Sequence, residues 1–344
     1  MQAYRVNPGQ QIAGLERVEV ADAAGAAHST LGPFEVRVRV HAVSLNYRDL
    51  MVVKGQYRAV KPGAVVPASD GAGEVIAVGA AVKRFALGDR VLASFFPNWT
   101  QGGPTPENTG GALGGESDGM LAEQVTLNEA ALVAIPAHLS YAEAATLPCA
   151  GVTAWNALFV EGSLKPGDTV LLLGTGGVSI WALQLAKAAG LRVLITSSSD
   201  TKLARARTLG ADETINYRSQ PEWQEEVLRL TEGRGVDLVL EVGGKDTLAR
   251  SLASARMGGT VAIIGGVSGF DGQINPALLI GGAKRLVGVF VGSRTMLEDL
   301  ARFSANAKIK PVVDRSFGFE QAREAFELME QAGHFGKIVI NVTA

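Results

Sequence analysis

A single cysteine, Cys149, stands among the 344 residues, so no disulfide can form within the chain. Nor is there an excess of one charge: 32 lysines and arginines against 34 aspartates and glutamates leave a formal net charge of −2, with an isoelectric point near 6.2. Without an extended positive field, nucleic acid and anionic membranes are poor candidates for the main partner. Long apolar runs are missing too, which leaves no segment for a membrane-crossing helix. The first residues, MQAYRVNPGQ, have neither the basic segment nor the apolar core of a secretion signal. These absences lead to the expectation of a cytoplasmic protein with a small-molecule partner.

What is present is an ordinary globular composition, 47% hydrophobic and 19% charged, with 42 glycines that mark tight turns because apolar periodicity persists between them. The length suits two domains, and with them a cleft. Up to about residue 149 the pattern is mostly β: EVRVRVHAV, from Glu35, alternates strictly, and GAGEVIAVGAAVKRFALGDRVLA supplies two short strands separated by glycine and charged turns. Phe95 to Gly119, rich in Gly, Pro, Asn and Thr, reads as a long surface loop, either a connector or a cover over a site. From Thr169 the strands VLLL, RVLIT, ETINY, DLVLEV and TVAIIG alternate with helices from Val178, Thr201, Glu222 and Thr247, which predicts a doubly wound parallel sheet. RLVGVFVG from Arg285 supplies a sixth strand, and Met296 to Ala305 a helix. FEQAREAFELMEQAG is an amphipathic helix, and the last strand, GKIVINV, has no place in a Rossmann order, so the C-terminus is expected to return to the first domain.

The richest segment is DTVLLLGTGGVSIWALQLAKAAG, Asp168 to Gly190, an apolar strand, a glycine turn and an apolar-striped helix in one stretch. Gly174 allows the tight reversal, and Gly176 and Gly177 let backbone N–H groups approach a pyrophosphate that the helix dipole favours. The GxGxxG spacing falls on Gly174, Gly176 and Ser179, a small serine taking the place of the third glycine. Past the next strand, TSSSDTK has hydroxyls at Thr196, Ser197, Ser198 and Ser199 where an NAD site places a carboxylate, and Lys202 can pair with a 2′-phosphate, which favours NADP(H). Asp200, the competing ribose grip, is better suited to cap the following helix.

These strings, with AATLPCAGVTAW at the junction, LGADETINYR and GHFGKIVI, span nearly the whole chain and resemble the medium-chain dehydrogenase/reductase superfamily. The resemblance implies an α/β protein: a GroES-like β-rich catalytic domain over 1–149 and 296–344, and a Rossmann doubly wound domain over 150–295. Where the alcohol-dehydrogenase branch holds catalytic zinc with Cys, the His of a Gly-His-Glu string, and Cys or Asp, this chain has Asn46, Ser69 and Cys149, and the Phe95–Gly119 segment has no cysteine for a structural zinc lobe. A catalytic zinc needs about three N, S or O ligands, so no metal is expected. The chain looks like the zinc-independent branch of quinone oxidoreductases and enoyl thioester reductases.

By that likeness Asn46, Thr153, Gly174, Thr175, Gly176, Gly177, Val178, Ser197, Ser198, Lys202, Tyr217, Gly265, Gly266, Val267, Val291, Ser293 and Lys337 contact the cofactor. Tyr217 either packs by the adenosine phosphate or closes its strand as a core aromatic. Reduction without metal needs hydrogen-bond donors where charge builds on oxygen. Asn46 and Tyr57 in SLNYRDLMVVKGQY are the catalytic candidates, Tyr57 as proton donor or as pocket lining, while Arg48 and Asp49 read as a structural ion pair. The expected activity is NADPH-dependent reduction of quinones or other α,β-unsaturated carbonyls in the cleft. The alternatives are an alcohol dehydrogenase and an NADPH-binding sensor with little turnover. The apolar RLVGVFVG edge predicts a homodimer.

Overall fold

The structure, a computed structural model, describes residues 1–20, 31–57 and 60–343. It divides into one unit of Met1–Val152 with Gly292–Ala344 and a second of Thr153–Val291. Among the described residues there are fifteen strands. The first unit contains β1 (Gln2–Arg5), β2 (Glu16–Glu19), β3 (Glu35–Ser44), β4 (Asp70–Val78), β5 (Arg90–Ala93), β6 (Gln124–Asn128) and β7 (Leu132–Ala134). The second has β8 (Thr169–Leu172), β9 (Arg192–Ser197), β10 (Glu213–Asn216), β11 (Val236–Glu241), β12 (Ala255–Ile263) and β13 (Arg285–Gly288), after which β14 (Val313–Gly318) and β15 (Lys337–Asn341) rejoin the first unit.

In the first unit the alternation of EVRVRVHAVS buries Val36, Val38 and Val40 on one face, and the strand runs at the centre of the order β14-β15-β3-β4-β5-β7. The C-terminal strand β15 pairs antiparallel with β3, as expected of a segment that no Rossmann sheet could place. The helix Ala322–Glu330 lays Ala325, Phe326 and Met329 on the same core. One register detail positions everything that follows. Ser44, the last residue of β3, faces Asp70 at the start of β4 and Val339 near the start of β15, so three strand ends meet at one edge of the sheet.

The Phe95–Gly119 segment is a surface loop over 101–107, as expected, but its two ends are buried. Phe95, Phe96, Trp99, Ala112 and Leu113 are buried, the Trp99 indole donates to Gly102 O at 2.9 Å, and a short helix, Pro106–Thr109, is capped by Thr105. Polar composition hid three aromatic anchors.

In the second unit the strands run in the order β10-β9-β8-β11-β12-β13, all parallel, with β8 and β11 buried along their whole length as a sheet covered on both faces requires. The RLVGVFVG segment is shorter as a strand than its apolar run suggested. Only Arg285–Gly288 pair in register, Val289 still donates to Ile263 O at 2.8 Å, and Val291 turns to a left-handed φ of 52° that a β-branched residue adopts only when held. The holder is Asn156, whose Nδ2 donates to Val291 O at 2.9 Å.

Candidate active site

The three strand ends deliver a buried polar network in the first unit. Lys337, 3% exposed, sends its ammonium to Leu45 O and to Asn46 Oδ1, both at 2.5 Å. The amide of Asn46 is thereby oriented, with Nδ2 turned to Ser69 Oγ in a long contact of 3.5 Å. Ser69 donates to Asp70 Oδ1 at 2.7 Å, and the backbone N–H of Cys149 reaches Asp70 Oδ2 at 3.0 Å. Cys149 sits in a widened π-helical turn, Leu147–Gly151. Asp49 closes a capping box on the helix Tyr47–Val53, its Oδ2 accepting from Asn46 N at 2.9 Å.

The charges are set by burial. Burial raises the Asp49 carboxyl above its ordinary range, and it pushes Asp70 up to about 6 against the pull of Lys337. Burial lowers the Lys337 ammonium, and the two aspartates work in the opposite direction. The Cys149 thiol is raised by burial and then by the charge of Asp70.

Of the sequence candidates, Asn46 and Lys337 are in direct contact, while Tyr57 stands apart, partly buried, its ring 4.8 Å from the Arg48 guanidinium carbon. The expected Arg48–Asp49 pair is a single 3.5 Å contact; the shorter bond of Arg48 goes to Leu113 O at 2.6 Å. Asp70 was not among the candidates, although it follows Ser69 in the place of the glutamate of the Gly-His-Glu string. The burial of Lys337 had no local signal, since it depends on a strand pairing almost three hundred residues away.

The residues do not fit a catalytic zinc. Asn46 Oδ1 is taken by an ammonium, Ser69 Oγ donates to a carboxylate, and that buried ammonium would repel a divalent cation placed between them. Among the described residues no group of three or more His, Cys, Asp or Glu side chains converges as a metal site.

In the second unit the residues fit a dinucleotide. Gly174 has φ 70°, and a Cβ on Gly174 or Gly176 would meet no atom within 4 Å, so the turn is open where a pyrophosphate needs to come close. The helix Gly177–Ala188 that follows has no side-chain cap on its first N–H groups. Ser179 fills the third-glycine position with its hydroxyl satisfied by Leu173 O at 2.7 Å. At the end of β9 the cap of the next helix is Ser199, which corrects the assignment to Asp200; the Asp200 carboxylate instead accepts from Asn216 Nδ2 at 2.8 Å. Tyr217 is exposed, its N–H on Ser197 O at 3.1 Å, so it is no core aromatic. Thr153 is buried, and Gly265, Gly266 and Val267 follow β12 with Val267 exposed; Ser293 lies in the first unit, buried and capping the helix Arg294–Ala307. Glu241 was missed by the sequence reading: buried at the end of β11, it accepts from Gly243 N, Gly244 N, Thr247 Oγ1 and Ser251 Oγ, fixing the turn after that strand.

Asp70 makes the pH dependence of stability testable. Its folded pKa of about 6 lies above the ordinary 3.8, so between these values the folded chain keeps a proton that the unfolded chain has released. Its contribution is therefore largest below about pH 4, falls as pH rises to 6 and is constant above. Urea midpoints from pH 4 to 7.5 should show the stability of the native protein, relative to Asp70→Asn, falling by up to about 3 kcal/mol across that window. A difference independent of pH would refute the shift.

Comparison with known proteins agrees with this division. Residues 32–137 match the alcohol dehydrogenase GroES-like domain, and residues 177–306 match the zinc-binding dehydrogenase family. A zinc-type alcohol dehydrogenase-like protein of Schizosaccharomyces pombe is 46% identical over 91% of this chain and 92% of its own length. A quinone oxidoreductase-like protein 2 homolog of Nematostella vectensis is 30% identical over 90% and 82%. The crystal structure of an NAD-dependent alcohol dehydrogenase superposes with a TM-score of 0.90 at 36% identity, covering both chains completely. With its GroES-like unit, its Rossmann unit and relatives matched along almost their full length, the chain belongs to the medium-chain dehydrogenase/reductase superfamily of oxidoreductases.

Proposed function

We propose that the protein is a zinc-independent, NADPH-dependent reductase of quinones or other α,β-unsaturated carbonyl compounds. The observation that carries this reading is the Lys337–Asn46–Ser69–Asp70 network at the place where metal-dependent relatives hold zinc. The open turn at Gly174–Gly177 holds the cofactor pyrophosphate, with Thr175 and Val178 beside it. Ser197, Ser198 and Lys202 take the 2′-phosphate, and Asp200, which accepts from Asn216, is the first residue of the following helix rather than the end of β9.

When bound, the reduced nicotinamide supplies a hydride to the β-carbon of the conjugated acceptor. The displaced electron pair moves onto the carbonyl oxygen, and a donor must meet it there. Asn46 can do so through Nδ2, the donor end of its amide, which the Lys337 bond to Oδ1 orients. Tyr57, partly exposed, gives the proton that completes the saturated carbonyl or hydroquinone and regains one from solvent.

An alcohol dehydrogenase is the rival: the superposed structure of that class is NAD-dependent, and a zinc-dependent alcohol dehydrogenase would need its metal for turnover. NADPH oxidation across a panel of quinones and enones should be rapid and unchanged by chelator treatment. Stoichiometric zinc whose removal abolishes turnover would overturn the reading, and no oxidation with any acceptor would favour a binding protein. For the cofactor, Lys202→Ala should weaken NADPH by about 1 to 3 kcal/mol, roughly 5- to 150-fold, while sparing NADH. Native protein that binds NADH as tightly as NADPH contradicts the preference.

We infer a homodimer as well. β13 has β12 on one side and, among the described residues, no strand on the other, and Ile280 nearby in sequence is 81% exposed. Two such edges paired about a twofold axis satisfy each other. Proline at Val289 would break the Ile263 bond within the sheet, so it does not probe the dimer. Light scattering is cleaner: a mass that stays at 35.9 kDa at all concentrations excludes the dimer.

A further inference from the structure

The guanidinium of Arg48 lies beside the buried network without belonging to it. Its side chain is 10% exposed, and only Nη1 is engaged, donating to Leu113 O and lying 3.5 Å from Asp49 Oδ1. The rings of Tyr57 and Phe95 stand 4.8 and 4.9 Å from its central carbon, apolar partners that tolerate a cation. Nε and Nη2, the opposite edge, are shielded from solvent and have no hydrogen-bond partner among the described residues. A buried donor pair without acceptors is costly to maintain, and an arginine cannot escape the cost by losing its proton.

The missing partner can be described from the geometry. The N–H groups of Nε and Nη2 point the same way in a fixed fork, which matches the two oxygens of one carboxylate and leaves a donor over if a single carbonyl oxygen binds. Doubly charged groups such as a phosphate are disfavoured, because Asp49 is in contact with the same guanidinium. Aromatic rings beside the guanidinium suit a flat, conjugated body. We propose that the Nε–Nη2 edge of Arg48 is a carboxylate-binding subsite, and that the acceptors taken best carry a carboxylate on a flat apolar frame, apart from the carbon that is reduced. The acceptor class rests on the reductase reading above; the subsite itself does not.

Binding of two simple probes, trans-cinnamate and its neutral isostere cinnamamide, tests this on the full-length protein with NADP⁺ present, by titration calorimetry. Cinnamate should bind about tenfold tighter or more, Arg48→Met should remove the preference, and Arg48→Lys, which keeps the charge and loses the fork, should retain only part of it. Equal binding of the two probes, no saturable binding of cinnamate, or a preference that survives Arg48→Met overturns the subsite. Melting temperatures establish whether the variants fold, and if Arg48→Met does not, Arg48→Lys decides: an undiminished preference there rules out the fork. Oxidation of NADPH by neutral quinones without any cinnamate preference would sink the subsite and leave the reductase reading standing. A cinnamate preference without NADPH oxidation by any acceptor would do the reverse.

Discussion

An ammonium taken out of water must find oxygen atoms or lose its proton, and the first unit is arranged around that requirement at Lys337. The carbonyl of Leu45 and the amide oxygen of Asn46 supply the contacts, while Asp70 and Asp49 supply the opposing charge. None of these groups is close to Lys337 in sequence. They meet because β15 pairs with β3 and β3 with β4 so that the ends of all three coincide. The fold of the sheet and the chemistry of the site are thus one constraint. A register slip of one residue in β15 would turn Lys337 to the other face and take the ammonium away from Asp70.

The nucleotide unit follows a different logic, local where the first is long-range. Strand, turn and helix of its phosphate site are contiguous, and each element needs only its own residues: an apolar run for β8, a left-handed glycine at 174, small residues through 179, and then an apolar stripe. Even the replacement of the third glycine is handled within the same stretch, because the Ser179 hydroxyl turns back to Leu173 O. A site made this way can be read from one window of sequence.

That contrast explains how much was legible. The parallel sheet, the β-rich unit, the return of the C-terminal strand and the phosphate turn all follow from periodicity and glycine placement, which are properties of short segments. The anchored 95–119 segment was obscured because aromatic anchors are sparse among polar residues, and burial depends on what they land against. Ser199 and Asp200 were confused as caps because adjacent oxygen-bearing residues satisfy the same pattern and only backbone dihedrals separate them. Asn46 could be picked out by likeness, but not the direction its amide faces, nor the burial of Lys337 that decides it. Arg48 looked like half of an ion pair because its neighbour is an aspartate, yet that aspartate spends its better bond on the backbone of Asn46.

The same network bears on what it would take to turn this site toward metal chemistry. Exchanging Asn46 and Ser69 for better ligands would leave Lys337 in place, and a divalent cation beside a buried ammonium meets a repulsion that the low-dielectric interior enlarges. Removing Lys337 as well would strand Asp70 as a buried carboxylate without its cation until metal arrived, at a cost to the unliganded fold. The positive charge here is built into the chain, and the neighbouring groups are chosen to suit it. A reaction that needs only an oriented donor, such as Nδ2 of Asn46, is compatible with that arrangement, whereas one that needs an exchangeable Lewis acid would require the ligands, the cation and the counter-charges to change together.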